Sequence, residues 1–106
     1  MSTIQELVEA MPRAFQKDAA KGLNAVYQFD LSGDGGGKWC VEVEDGNLTV
    51  SEKEHPTPAV TISATATDYV AIAEGKTNRT LAVMSGKMKI KGSMTLALKL
   101  QQIFKQ

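Results

Sequence analysis

The chain has 106 residues, enough for one domain that buries roughly two-thirds of its unfolded surface, with little room for a large enzyme site. Twelve basic residues cancel twelve acidic ones, which argues against a simple nucleic-acid binder. The charge is nevertheless unevenly spread. The first 74 residues hold twelve acids and five bases; the rest hold Lys76, Arg79, Lys87, Lys89, Lys91, Lys99 and Lys105 and no acid, so the two parts stand at −7 and +7. Such asymmetry fits either an anionic partner for the C-terminal part or a basic end lying on the acidic part of the same fold. The single cysteine, Cys40, excludes an internal disulfide framework and suits a reducing compartment. No secretory leader, membrane-length apolar run or terminal targeting tripeptide is read, so a soluble, cytoplasmic chain is expected.

The N-terminus begins with helix signals. Ser2 with Gln5, or Thr3 with Glu6, forms a capping box, and Ile4, Leu7, Val8 and Met11 recur at helical spacing. Pro12 lacks a donor and is expected to interrupt this helix, with Phe15 continuing the apolar face in a further turn. The period then changes to two. Tyr27, Phe29 and Leu31 alternate with Gln28 and Asp30 as a half-buried strand, and a glycine-rich tip from Gly33 to Gly37 follows. Beyond the tip, Trp39, Val41 and Val43 alternate with Cys40, Glu42 and Glu44, which sets Cys40 on the polar side, partly exposed. Asp45-Gly46 is a hairpin turn into a third strand carrying Leu48 and Val50.

Residues 51–58 read as a polar loop closed by two prolines, before a fourth strand with Val60, Ile62 and Ala64. Thr67 is expected to cap a helix that Gly75 ends, and Asn78 a short helix bearing Leu81, Ala82 and Met84. Met88 and Ile90 alternate with Lys87, Lys89 and Lys91 as a fifth strand. Ser93 caps a last helix. No repeat or linker appears, and the pattern predicts a single mixed α+β domain over residues 1–106.

The last helix is unusually apolar. At about 100° per residue, Thr95, Lys99, Gln102 and Gln106 share a narrow polar stripe, with Lys105 at its border. Met94, Leu96, Ala97, Leu98, Leu100, Ile103 and Phe104 fill an arc of roughly 220°, where a surface helix needs little over 100°. The surplus calls for further protein, a partner or a ligand. Gln101 falls inside this arc; it either bonds nearby backbone or points an amide into a cavity to meet a ligand's polar head. Met84, Met88 and Met94 cluster around the same segment, as gap-filling core residues or as the wall of an adaptable pocket.

Catalytic motifs are mostly missing. The glycine-rich tip has Ser32 and Trp39 where a phosphate loop needs glycine and a hydroxyl residue, and Val41 where a calcium loop needs its closing carboxylate. One histidine, His55, and one cysteine cannot build an ordinary zinc site. A Cys40–His55 hydrolase lacks any supporting motif, and no catalytic residue, cofactor or metal is expected.

The segment from Gly86 to Leu100 resembles the closing segment of the sterol carrier protein 2 (SCP2-like) lipid-transfer domains, on Gly86, Lys87, Ile90, Gly92, Met94, Leu96, Ala97, Lys99 and Leu100. Asp68 to Lys76 resembles the family's preceding helix, and Trp39 to Val43 its second strand. The resemblance implies a five-stranded mixed sheet covered by helices over a hydrophobic tunnel. It also implies non-enzymatic binding and transfer of fatty acids, fatty acyl-CoA, sterols or related apolar molecules. On this reading the tunnel residues are Trp39, Val41, Ile62, Val70, Leu81, Met84, Met88, Ile90, Met94, Leu98, Gln101 and Phe104, with Met94 and Leu98 toward lipid, Gln101 at a head group, and Leu96, Leu100 and Ile103 toward core or partner. The C-terminal lysines would attract an anionic lipid or touch an anionic membrane surface transiently. The chain is expected to be a monomer or weak homodimer; a protein-interaction module that buries its last helix in a homodimer is the alternative. Carriers of this kind in eukaryotes often end in a peroxisomal Ser/Ala-Lys-Leu signal, whereas this chain ends Phe104-Lys105-Gln106, so a free-standing bacterial or archaeal protein is expected.

Overall fold

The computed structural model describes residues 3–104 as α1 (Ile4–Ala14), β1 (Asn24–Ser32), β2 (Gly37–Glu44), β3 (Asn47–Ser51), β4 (Val60–Thr65), α2 (Ala66–Ala73), α3 (Arg79–Met84), β5 (Met88–Gly92) and α4 (Met94–Ile103). The order and type of element follow the sequence pattern. The strands form one mixed sheet in the order β3-β2-β1-β4-β5, with β1 parallel to β4 and every other pairing antiparallel. In the β2–β3 turn, Asp45 and Gly46 both take positive φ, 43° and 83°, the geometry that makes Asp-Gly a hairpin turn.

Strand parity gives the sheet two unlike faces. Tyr27 pairs with Val41 and Val60, and Phe29 with Trp39 and Ile62, so the apolar side chains share one face, which the helices cover. The opposite face carries Lys38, Cys40, Glu42, Gln28, Thr61 and Lys89. It is not bare. The connection from β3 to β4 runs over it, and Gln28 holds that connection, donating from Nε2 to the Lys53 carbonyl at 3.1 Å and accepting the His55 N–H at 2.8 Å. Gln28 is only 2% exposed, the one polar residue in the buried set of the described chain.

Three expectations are corrected by this packing. Cys40 is fully buried rather than partly exposed, because the crossing connection closes over its face of the sheet. The cap of α2 is Thr65, whose hydroxyl accepts the Asp68 N–H at 3.0 Å, so the helix starts at Ala66, before Thr67. Pro12 lies inside α1 rather than interrupting it, since the helix has only two residues left to run and the missing N–H costs one bond in its last turn. Phe15 then leaves the helix in an extended conformation and forms a bridge with Phe104. At the other end of α1 the Thr3–Glu6 capping box is complete, with both reciprocal bonds formed.

Replacing Gln28 by alanine would leave the His55 N–H and the Lys53 carbonyl without their partner. Gln28→Ala is expected to cost about 1–3 kcal/mol, read as a lower denaturant midpoint at unchanged slope; an unaltered midpoint would show that the connection is not held by this amide.

Candidate functional site

A cavity of about 250 Å³ lies between the apolar face of the sheet and the helix layer, where roughly 10–15 Å³ holds one water. Its floor follows from the register. Trp39, Phe29, Ile62 and Ile90 are paired neighbours on β2, β1, β4 and β5, a row across three inter-strand spacings, or about 14 Å. Leu31 and Met88 line the next row. The roof and sides come from the helices: Ile4, Leu7, Val8, Met11 and Ala14 on α1, Tyr69 and Ile72 on α2, Arg79 on α3, and Ala97 and Leu100 on α4. Phe104 closes the C-terminal side and packs on Phe15 at a centroid distance of 5.5 Å, while the Gln16 N–H bonds the Ile103 carbonyl at 2.6 Å.

The helices stand where they do for identifiable reasons. α1 presents its i, i+3, i+4, i+7 apolar stripe to the cavity. Tyr27 reaches through the core to donate its hydroxyl to the Leu96 carbonyl at 2.8 Å, pinning α4 to the sheet where it packs on β4 and β5. Tyr69 meets Phe29 edge-on with ring centroids 5.6 Å apart, setting α2 above the floor.

Of the proposed tunnel residues, Trp39, Ile62, Met88, Ile90 and Phe104 line this cavity. Val41 and Val70 do not, being packed in the core. Leu81, Met84, Met94 and Leu98 also lie outside it, each more than half exposed. For Met94 and Leu98 the reason is the rotation of α4. Ala97, Leu100 and Ile103 take the inward positions, which turns Met94 and Leu98 out to solvent, so the surplus apolar arc is not covered by the described chain. The side chain of Gln101 lies outside what is described. Residues on α1 and α2, and Phe29 and Leu31, enter the wall without having been singled out, because helical spacing marks an inward face without telling core from cavity.

Polar groups in the wall are few. Arg79, at the start of α3, is the single charged residue among those lining the cavity. Burial lowers its pKa, and neighbouring Tyr69 opposes that. Burial raises the pKa of Tyr69 in turn. The indole N–H of Trp39 is buried without a hydrogen-bond partner among the described residues. Cys40 and His55 are absent from the wall; both belong to the opposite face, where the His55 Nδ1 accepts the Thr57 N–H at 3.0 Å. Burial and the nearby Glu42 carboxylate, 3.6 Å from the thiol, both push the Cys40 pKa up.

An apolar chamber under helices, floored by a mixed five-stranded sheet, is the setting in which the family comparison acquires meaning. The SCP-2 sterol transfer family matches residues 4–105. The chain belongs to that family. Membership places it among lipid-binding and lipid-transfer domains. This SCP-2 domain is 40% identical over 106 residues to hydroxysteroid dehydrogenase-like protein 2 of Xenopus laevis, a match covering 99% of this chain and 25% of that protein. It thus spans a quarter of the length of such relatives. The sterol carrier protein domain 2 of Helicoverpa armigera superposes with a TM-score of 0.72 at 30% identity, covering 92% of this chain and 79% of that one. Sterol carrier protein 2 like 2 of Aedes aegypti shares the fold, with a TM-score of 0.77 at 24% identity over 95% and 93% of the two chains. No helix among the described residues is long and apolar enough to cross a membrane.

The raised pKa of Cys40 keeps its thiol protonated at neutral pH, and its burial withholds it from reagents. A disulfide thiol reagent at pH 8 is therefore expected to label the native protein at no more than its opening rate, with ordinary speed restored in denaturant; rapid native labelling would contradict the closed back face.

Proposed function

We propose that this SCP-2 domain binds and transfers fatty acids, fatty acyl-CoA, sterols or related apolar molecules in the cavity beneath its helices, and does so without changing them chemically. The observation that carries this reading is the wall itself: nearly every lining residue is aliphatic or aromatic, and the floor is a continuous apolar row across four strands. A buried sixteen-carbon chain gains on the order of 12 kcal/mol at about 0.8 per methylene. Association and ordering take back about 4–15 kcal/mol. The balance supports reversible binding, which a carrier needs. The non-enzymatic part of the reading is supported by the position of Cys40 and His55, the two candidates for nucleophilic chemistry, away from the cavity. A reducing compartment such as the cytoplasm suits a single buried thiol.

Exposed Leu81, Met84, Met94 and Leu98 lie on the two helices flanking β5, and that segment also exposes Lys87, Lys89, Lys91 and Lys99. Apolar side chains among lysines fit the transient contact with an anionic membrane surface that lipid exchange requires.

Val8→Trp, which fills the chamber from α1, is expected to reduce uptake of a fluorescent fatty acid at least tenfold while the protein still melts cooperatively; full uptake by the folded variant, or no uptake of any acyl chain or sterol by the wild type, would overturn the reading. Met94→Glu with Leu98→Glu is expected to leave uptake from solution intact and to slow transfer to phosphatidylserine vesicles several-fold. Equal transfer to anionic and neutral vesicles would remove the membrane contact. A sedimentation series showing that the same two changes abolish a dimer would favour a homodimer on α4 instead.

A further inference from the structure

Arg79 is anomalous in its surroundings. It is the single charge among the residues lining an otherwise apolar chamber, and it is partly buried. Among the described residues, ion pairs join Lys38 to Glu54, Lys53 to Glu42 and Lys76 to Glu74, and none involves Arg79. Tyr69, whose ring packs on Phe29 of the floor, lies close enough to act on it electrostatically. The Tyr69 phenol, its pKa raised by burial, is neutral at physiological pH and does not balance the charge. Partial burial in an apolar wall disfavours the charged form of Arg79, and its pKa is lowered accordingly. As a lining residue with no ion pair among the described residues, it is available to a group of opposite sign.

We infer that Arg79 is the head-group site of this cavity, and that the chamber takes single-chain amphiphiles whose head is a compact anion, a carboxylate or its like, in preference to neutral lipids of equal length. The guanidinium presents parallel N–H donors in a planar fork that matches a carboxylate bidentately. Its position suits the task. Arg79 enters from α3, which packs beside the edge strand β5, so a head group there lies on the β5 side of the molecule. The floor row runs away from that side through Ile90, Ile62 and Phe29 to Trp39, giving the acyl chain its track. Lys87, Lys89 and Lys91, exposed around the same strand, bias the approach of an anionic head before Arg79 receives it. The inference rests on the cavity being the lipid site.

Tetradecanoate and 1-tetradecanol, equal in length and different in charge at pH 7.5, separate the possibilities, with the emission of Trp39 in the cavity wall as a direct readout. The wild type is expected to bind the acid at least about tenfold more tightly than the alcohol, the worth of one charge-assisted contact. Arg79→Gln is expected to erase that preference by weakening binding of the acid, whereas Arg79→Lys retains part of it. Equal affinities in the wild type would overturn the inference while leaving the lipid reading intact, and that comparison requires no variant to fold. Persistence of the acid preference in a folded Arg79→Gln protein would do the same. Failure of both probes to bind would overturn the lipid reading, and the head-group site with it.

Discussion

The parallel pairing of β1 with β4 is the constraint on which the rest of the structure depends. A parallel neighbour cannot be reached by a tight turn, so the chain must cross the sheet between β3 and β4. It crosses on the polar face, held there by the two bonds of Gln28. That choice closes one face with a loop and leaves the other for helices. Because side chains alternate along every strand, the same register that buries Gln28 and Cys40 under the connection places Tyr27, Phe29 and Ile62 beneath the helix layer.

The helix layer is tied down at its margins more than at its centre. Tyr27 bonds α4 from below, Phe15 and Phe104 pair just beyond the last residues of α1 and α4, and Tyr69 stands on Phe29. Between these ties the helices do not settle fully onto the sheet, and the space they leave is the cavity. A close-packed interior has few voids larger than a water molecule, so a chamber of this volume lined by aliphatic groups is a built feature of the fold. Its chemistry is then simple: apolar area supplies the attraction, and the lone charge of Arg79 supplies a direction for the ligand.

The outer faces of α3 and α4 follow the opposite logic. Leu81, Met84, Met94 and Leu98 remain in solvent although their neighbours Ala82 and Ala97 are buried. The small alanines let α3 and α4 lie close to the sheet, and the larger side chains are left on the outside. The wide apolar arc of α4 is thus shared between two surfaces, one turned to the cavity and core and one turned outward.

Local chemistry by itself determined a good deal about this protein. The alternation of Phe29, Trp39, Val41 and Ile62, the Asp45-Gly46 turn, and the caps at Thr3, Asn78 and Ser93 mark element type and order, since each depends only on near neighbours. The closing segment identified the family for the same reason, being a continuous run. What tertiary structure alone decided is which side of each element meets what. Cys40 shares its side of the strand with Lys38 and Glu42 and is buried because a distant connection covers it. Met94 and Leu98 read as lipid-facing and turn outward because Tyr27, far away in sequence, fixes the rotation of α4 through Leu96. Arg79 looks like one of several C-terminal cations until the fold sets it alone in an apolar wall. Periodicity tells how a side chain points relative to its own backbone; only packing tells whether core, cavity or water lies in that direction.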